Sequence, residues 1–124
     1  MIKIVIQNKI KIAEQEELIH EEYDGEFKKI SGKWCLIYQN SATERVLIKF
    51  DENELSMIRY ADSPVKLHFH KDFLTNTYYE GLGFLNVTTK KLQVNLENAS
   101  VNLNYHLSQN EQKIADYQMQ ISWR

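Results

Sequence analysis

Cysteine and proline each occur once in this chain of 124 residues, at Cys35 and Pro64, and glycine occurs only four times. A lone thiol cannot close an internal disulfide, which fits a reducing compartment. No apolar run approaches the ~18 residues that a membrane-spanning helix needs. No small-residue cleavage site follows the opening Met1-Ile2-Lys3-Ile4, so a cytoplasmic location with no membrane partner is expected. Neither sign of charge prevails, because 15 Lys and Arg meet 17 Asp and Glu for a net charge of −2. Nothing in that balance calls for nucleic acid as a partner. G-x-S-x-G, phosphate-loop, dinucleotide and metalloprotease-helix motifs are all missing. The chain therefore leans toward a non-enzyme, with an enzyme as a distant third reading, and no cofactor is expected. Convincing helical periodicity is scarce as well.

What fills the chain instead is two-residue alternation. Ile2, Ile4, Ile6, Ile10 and Ile12 share one face, interrupted by Asn8, and Ala115, Tyr117, Met119, Ile121 and Trp123 share another at the far end. Between them, Val46, Ile48 and Phe50 share one face, and Val101, Leu103, Tyr105 and Leu107 alternate with Asn102, Asn104 and His106. This period places successive side chains on opposite sides of a strand. Over residues 17–30 the glutamates would also suit a helix, but Ile19, Tyr23 and Phe27 fall on one strand face and Gly25 would break a helix. A strand with a bulge or bend at Gly25 is expected there. Turns are expected at 13–17, Ser31-Gly32-Lys33, 41–44, 51–54, Asp62-Ser63-Pro64 and 109–112. Residues 78–87 read as one strand that coils sharply at Gly81 and Gly83, and 90–97 as a separate strand.

The result is a single domain over 1–124, all-β, with eight to ten short-connected strands. Short connections favour antiparallel neighbours. So many strands would leave long exposed edges in an open sheet, and closing into a barrel removes them.

Several segments carry a resemblance to a known family: Tyr23-Asp24-Gly25 followed by Trp34-Cys35-Leu36-Ile37-Tyr38, the run Leu55-Ser56-Met57-Ile58-Arg59, the stretch from Tyr79-Glu80-Gly81-Leu82-Gly83 to Thr89, and Val101-Asn102-Leu103-Asn104-Tyr105-His106-Leu107. In these the chain resembles the YwiB-like family of small uncharacterised bacterial proteins. The resemblance implies an up-and-down, calycin-like (lipocalin-like) β-barrel in a bacterial cytoplasm, and it implies no activity. The chain departs from the family's pattern at Ala61, where relatives often carry glycine, and at Val46, where they often carry threonine.

Candidate site residues are few. Arg59 ends an apolar strand, and its guanidinium fork suits an acidic head group inside a barrel; a structural ion pair is the alternative. Tyr38 and Tyr105 belong to a set of seven tyrosines, whose apolar rings and polar tips suit a pocket. His68 and His70 point to the same side of a strand and could share a metal, although no third ligand lies nearby in sequence. The acidic stretch from Glu14 to Glu26 reads as a solvated edge, and Cys35 as an inert thiol. Two functions stay open: a barrel holding a small, partly apolar ligand, or a fully packed barrel acting through its outer surface. Apolar residues on both faces of 55–60 suggest a homodimer contact.

Overall fold

The computed structural model describes residues 1–41, 44–61 and 64–124. The expected turns at 41–44 and 62–64 therefore lie partly outside the described residues. Ten strands form: β1 (Ile2–Ile12), β2 (Gln15–Ile30), β3 (Lys33–Gln39), β4 (Arg45–Phe50), β5 (Glu54–Tyr60), β6 (Val65–His70), β7 (Thr75–Tyr79), β8 (Gly83–Asn95), β9 (Ser100–Gln109) and β10 (Gln112–Trp123). They make one antiparallel sheet in the order β6-β5-β4-β3-β2-β1-β10-β9-β8-β7. No helix among the described residues is long and apolar enough to cross a membrane.

Consecutive strands pair everywhere except between β6 and β7, and β1 pairs with β10, so the sheet curls into an up-and-down barrel. The break in the ladder lies between β6 and β7 rather than at the chain ends. Side chains bridge this seam: the Thr77 hydroxyl donates to the Lys66 carbonyl at 2.9 Å, and the Thr75 hydroxyl donates to the His68 carbonyl. Thr77 is buried at the seam, where a donor without a partner would be costly.

Alternation aims the expected faces inward. Leu36, Ile48, Phe50, Leu55, Phe69, Leu103 and Ile121 are fully buried in one cluster with Ile4, Val87 and Val101. Each such side chain contributes roughly 1.5–3 kcal/mol on leaving water. The row Trp34, Phe50, Leu55 and Phe69 runs across four strands and plugs one end of the barrel. Phe27 and Trp123 extend this plug, with their rings 5.1 Å apart.

Four expectations change. Residues 78–87 are a hairpin, not one coiled strand: β7 stops at Tyr79, and Gly81 and Gly83 take φ of +90° and +87° to reverse the chain. Conversely, 83–95 is one continuous strand with a bulge, because Thr88 and Thr89 stay in the ladder. At Gly25 the register does not shift. There β2 pairs with both β1 and β3, and a Cβ would come 2.4 Å from the Ile37 carbonyl oxygen, so glycine serves close backbone approach. Finally, Leu55 is fully buried and Met57 and Ile58 half-buried, which leaves Tyr60 as the exposed apolar residue of β5. The acidic stretch does form a free margin: residues 15–24 of β2 pair only with β1.

Candidate functional site

The barrel end opposite the aromatic plug is where the polar inner residues gather. In register, Tyr38, Val46, Arg59 and Val65 follow one another across β3, β4, β5 and β6 on the inner face. Tyr79 ends β7 on the same side, because the seam pairs Thr77 with Lys66. Tyr23 from β2 stacks on Tyr38, with ring centroids 4.5 Å apart. Deeper in the barrel, Tyr105 rests on Phe69 of the plug and stacks on Tyr117, both at 4.5 Å. Tyr23, Tyr38, Tyr79 and Arg59 thus border this end, with Tyr105 and Tyr117 set deeper.

Tyr38 and Tyr105 are only 6% and 4% exposed, and neither hydroxyl has a hydrogen-bond partner among the described residues. Among the described residues, Asn8 Oδ1 and Thr89 Oγ1 are buried without a partner, as is Asn40 Oδ1 at the end of β3. Buried polar atoms are seldom left so. Unmet groups of this kind are what a bound polar molecule or ordered water would satisfy.

Electrostatics tie the groups together. Burial pushes the Tyr38 phenol well above the usual range; Tyr23 and Glu21 add to the rise, while Arg59 opposes it. Tyr23 is pushed up to about 12, first by burial and then by its hydrogen bond to Glu21. Burial also raises Tyr79, again opposed by Arg59, and it raises Tyr105 and Tyr117. At neutral pH all five are therefore hydrogen-bond donors, not phenolates. Arg59 itself is not buried: its guanidinium is half-exposed and its Nε lies 3.4 Å from Glu44 Oε1. Among the described residues Glu44 is its one ion-pair partner, and the rest of the fork suits an acceptor.

Of the sequence candidates, Arg59 and Tyr38 meet at this mouth, and Tyr105 lies deeper on its far wall. His68 and His70 lie elsewhere, on the outer face of β6. His68 Nε2 is 3.0 Å from Glu54 Oε1, and His70 stacks on Phe73 at 3.6 Å and accepts from the Asp72 amide. The two imidazoles are held edge to face by separate neighbours. Among the described residues no group of three or more His, Cys, Asp or Glu side chains is placed to hold a metal. Cys35 is buried in the barrel wall. Tyr23, Tyr79, Tyr117, Asn8 and Thr89 were not singled out from sequence. Parity was the available signal for the three tyrosines and Asn8, whereas Thr89 fell between the two strands expected at 78–87 and 90–97.

A family model described as "Domain of unknown function (DUF1934)" matches residues 4–121. Comparison with curated proteins finds no match. Among solved structures, the crystal structure of the YwiB protein from Bacillus subtilis superposes with a TM-score of 0.83 at 18% identity, over 99% of this chain and 89% of that one. At that identity the likeness concerns the fold.

Proposed function

The chain belongs to the DUF1934 family, and from that premise we propose that it is a non-enzymatic binding protein that seats a small, partly apolar molecule at the tyrosine-rimmed mouth of its barrel. The observation that carries this is the convergence of Tyr38 and Tyr105, buried rings with unpartnered hydroxyls, on an opening that Arg59 also borders. The plugged end is filled by Phe50, Leu55 and Phe69, so the ligand sits high in the barrel and keeps one end toward water. Tyrosine faces supply apolar contact, and their hydroxyls with Arg59 supply orientation. The parallel with lipocalin-like carriers is one of architecture. The buried lone thiol supports a cytoplasmic setting.

Native mass spectrometry of protein purified from a bacterial lysate tests the reading. A retained small molecule that is lost in Tyr38→Phe and Arg59→Ala variants is the expected result. No retained mass, together with unmoved Tyr38, Arg59 and Tyr105 signals in an NMR fragment screen, overturns it.

A second reading, an interaction module acting through its outer surface, is favoured by one observation. Phe73, Leu74, Tyr78, Leu82 and Phe84 are each more than half exposed around β7 and the start of β8. Apolar patches of this kind mark contact surfaces. A homodimer through them would appear in sedimentation equilibrium and disappear in Phe84→Ser.

A further inference from the structure

A groove runs over the outer wall, and a bulge builds one of its sides. Between Thr89 and Lys91 the register of β8 against β9 slips by one residue. Without that slip Lys90 would face out opposite Asn104, and Lys91 would point into the barrel opposite Leu103. With it, Leu92 keeps the inner position against Leu103, and Lys91 turns out beside Asn104. Two consecutive lysines are thereby exposed on one wall, a re-aiming for which bulges are known.

Register places what they face. Lys91, Asn104, Gln118 and Lys9 form one outward row across β8, β9, β10 and β1. Strands lie ≈ 4.8 Å apart, so Lys9 and Lys91 stand about 14 Å from each other with two carboxamides on the floor between them. Lys11 and Lys90 flank the next stretch. The groove occupies about 550 Å³ along this row and continues into about 390 Å³ bordered by Lys11, Lys90 and Asp116. Lys9 pairs with Glu16 at 3.3 Å, whereas Lys11, Lys90 and Lys91 have no carboxylate within 4.0 Å among the described residues. Four lysines meet two carboxylates here, on a chain whose net charge is −2. The positive field reaches His106 on the same face: burial first, then Lys90, holds its pKa below the ordinary value, with Asp116 opposing.

We infer that this groove is a binding site for a small organic polyphosphate, with Lys9 and Lys11 on one wall and Lys90 and Lys91 on the other. Lysine is a point charge that suits phosphate, whereas the fork that favours a planar carboxylate belongs to arginine, and no arginine borders the groove. The carboxamides of Asn104 and Gln118 can donate and accept, which suits a polar body between two phosphate groups. This site lies on the outer wall, and its continuation also borders Tyr105 and Tyr117.

The test is an NMR titration of the full-length ¹⁵N-labelled chain with tripolyphosphate and with ATP, and with citrate as a carboxylate of comparable charge. Amide signals of Lys9, Lys91, Asn104 and Gln118 should move together with both phosphates. Lys90→Gln/Lys91→Gln should weaken binding by about fivefold for each charge removed, the order of one charge contact in water. Raising salt from about 0.05 to 0.25 M should weaken it further. Lys9→Gln/Lys11→Gln, from the opposite wall, gives the same readout if the first pair disturbs the fold. Equal binding of citrate, shifts spread evenly over remote lysines such as Lys28 and Lys71, or unchanged affinity in both double variants would overturn the inference.

Discussion

Replacing Gly25 with alanine puts one methyl group into the most crowded backbone junction of the barrel. At Gly25 strand β2 is bonded to β1 through Ile2 and to β3 through Tyr38 at once. An added Cβ would lie 2.4 Å from the Ile37 carbonyl oxygen, 2.6 Å from Ile4 Cδ1 and 3.1 Å from Tyr38 Cβ. Ordinary carbon–oxygen contacts begin near 3.3 Å, so the β3 backbone must retreat by close to an ångström at a ladder position. Overpacking of this kind costs about 1–3 kcal/mol. Alanine recovers about 0.4–1 kcal/mol by restricting the unfolded chain. With a backbone atom as the main obstacle the cost falls in the upper part of its range, for a net loss of about 2 kcal/mol. Unfolding entropy of about 2.1 cal/mol/K per residue makes this a fall in Tm of roughly 8 °C. Differential scanning calorimetry measures it directly. Ile4→Val removes the Cδ1 atom, so in the Gly25→Ala background it should return part of the loss, a coupling of about 0.5 kcal/mol or more in a double-mutant cycle. Gly32→Ala is the contrast: its Cβ meets nothing within 4 Å, but φ is +81°, so only backbone strain of about 1–2 kcal/mol applies. A Gly25→Ala protein that melts with the wild type, or a cycle with no coupling to Ile4, would refute the close-approach argument.

Three further outcomes follow from the geometry. Thr77→Val keeps the side-chain shape but removes the hydroxyl that bridges the seam; a loss of about 1–3 kcal/mol and faster amide exchange confined to β6 and β7 are expected, and uniform exchange would contradict the seam. Asp51→Ala removes the carboxylate that accepts from the Asn53 and Glu54 amides at 2.8 and 3.0 Å, which should cost about 1 kcal/mol in chemical denaturation. Burial opposes the charge on Asp51, but those amides and Lys33 outweigh it and lower its pKa, so the stabilisation is present above the unfolded carboxyl range and fades as pH falls below it. The tyrosines act with the opposite sign. Five phenols are raised in the fold, so the folded state holds protons that the unfolded state releases above pH ~10. Stability is then complete below that pH and declines as pH climbs toward the raised values. Absorbance titration at high pH should show most of the phenolate appearing together with loss of near-ultraviolet circular dichroism; full ionisation of all seven tyrosines in a still-folded protein would refute the buried mouth.

Much of the fold was legible because its signals are local. Val46, Ile48 and Phe50, or Val101 through Leu107, alternate in the chain and therefore alternate in space, and Ser31-Gly32 and Asn110-Glu111 reverse the chain through their own backbone angles. The mouth was legible only in part. Arg59 and Tyr38 stood out by residue type, yet nothing local says that Tyr23, Tyr79 and Tyr117 join them, since that depends on the tilt with which ten strands close.

The amino-acid pattern alone determined that this protein is a wall of antiparallel strands with these side chains inward, because a period of two is a property of the backbone at each residue. Three things were decided only by the closed sheet: the seam between β6 and β7, the gathering of the tyrosines at one end, and the outward turn of Lys91. Each depends on register between strands distant in sequence, and a slip of one residue reverses a face without changing the pattern that a sequence displays.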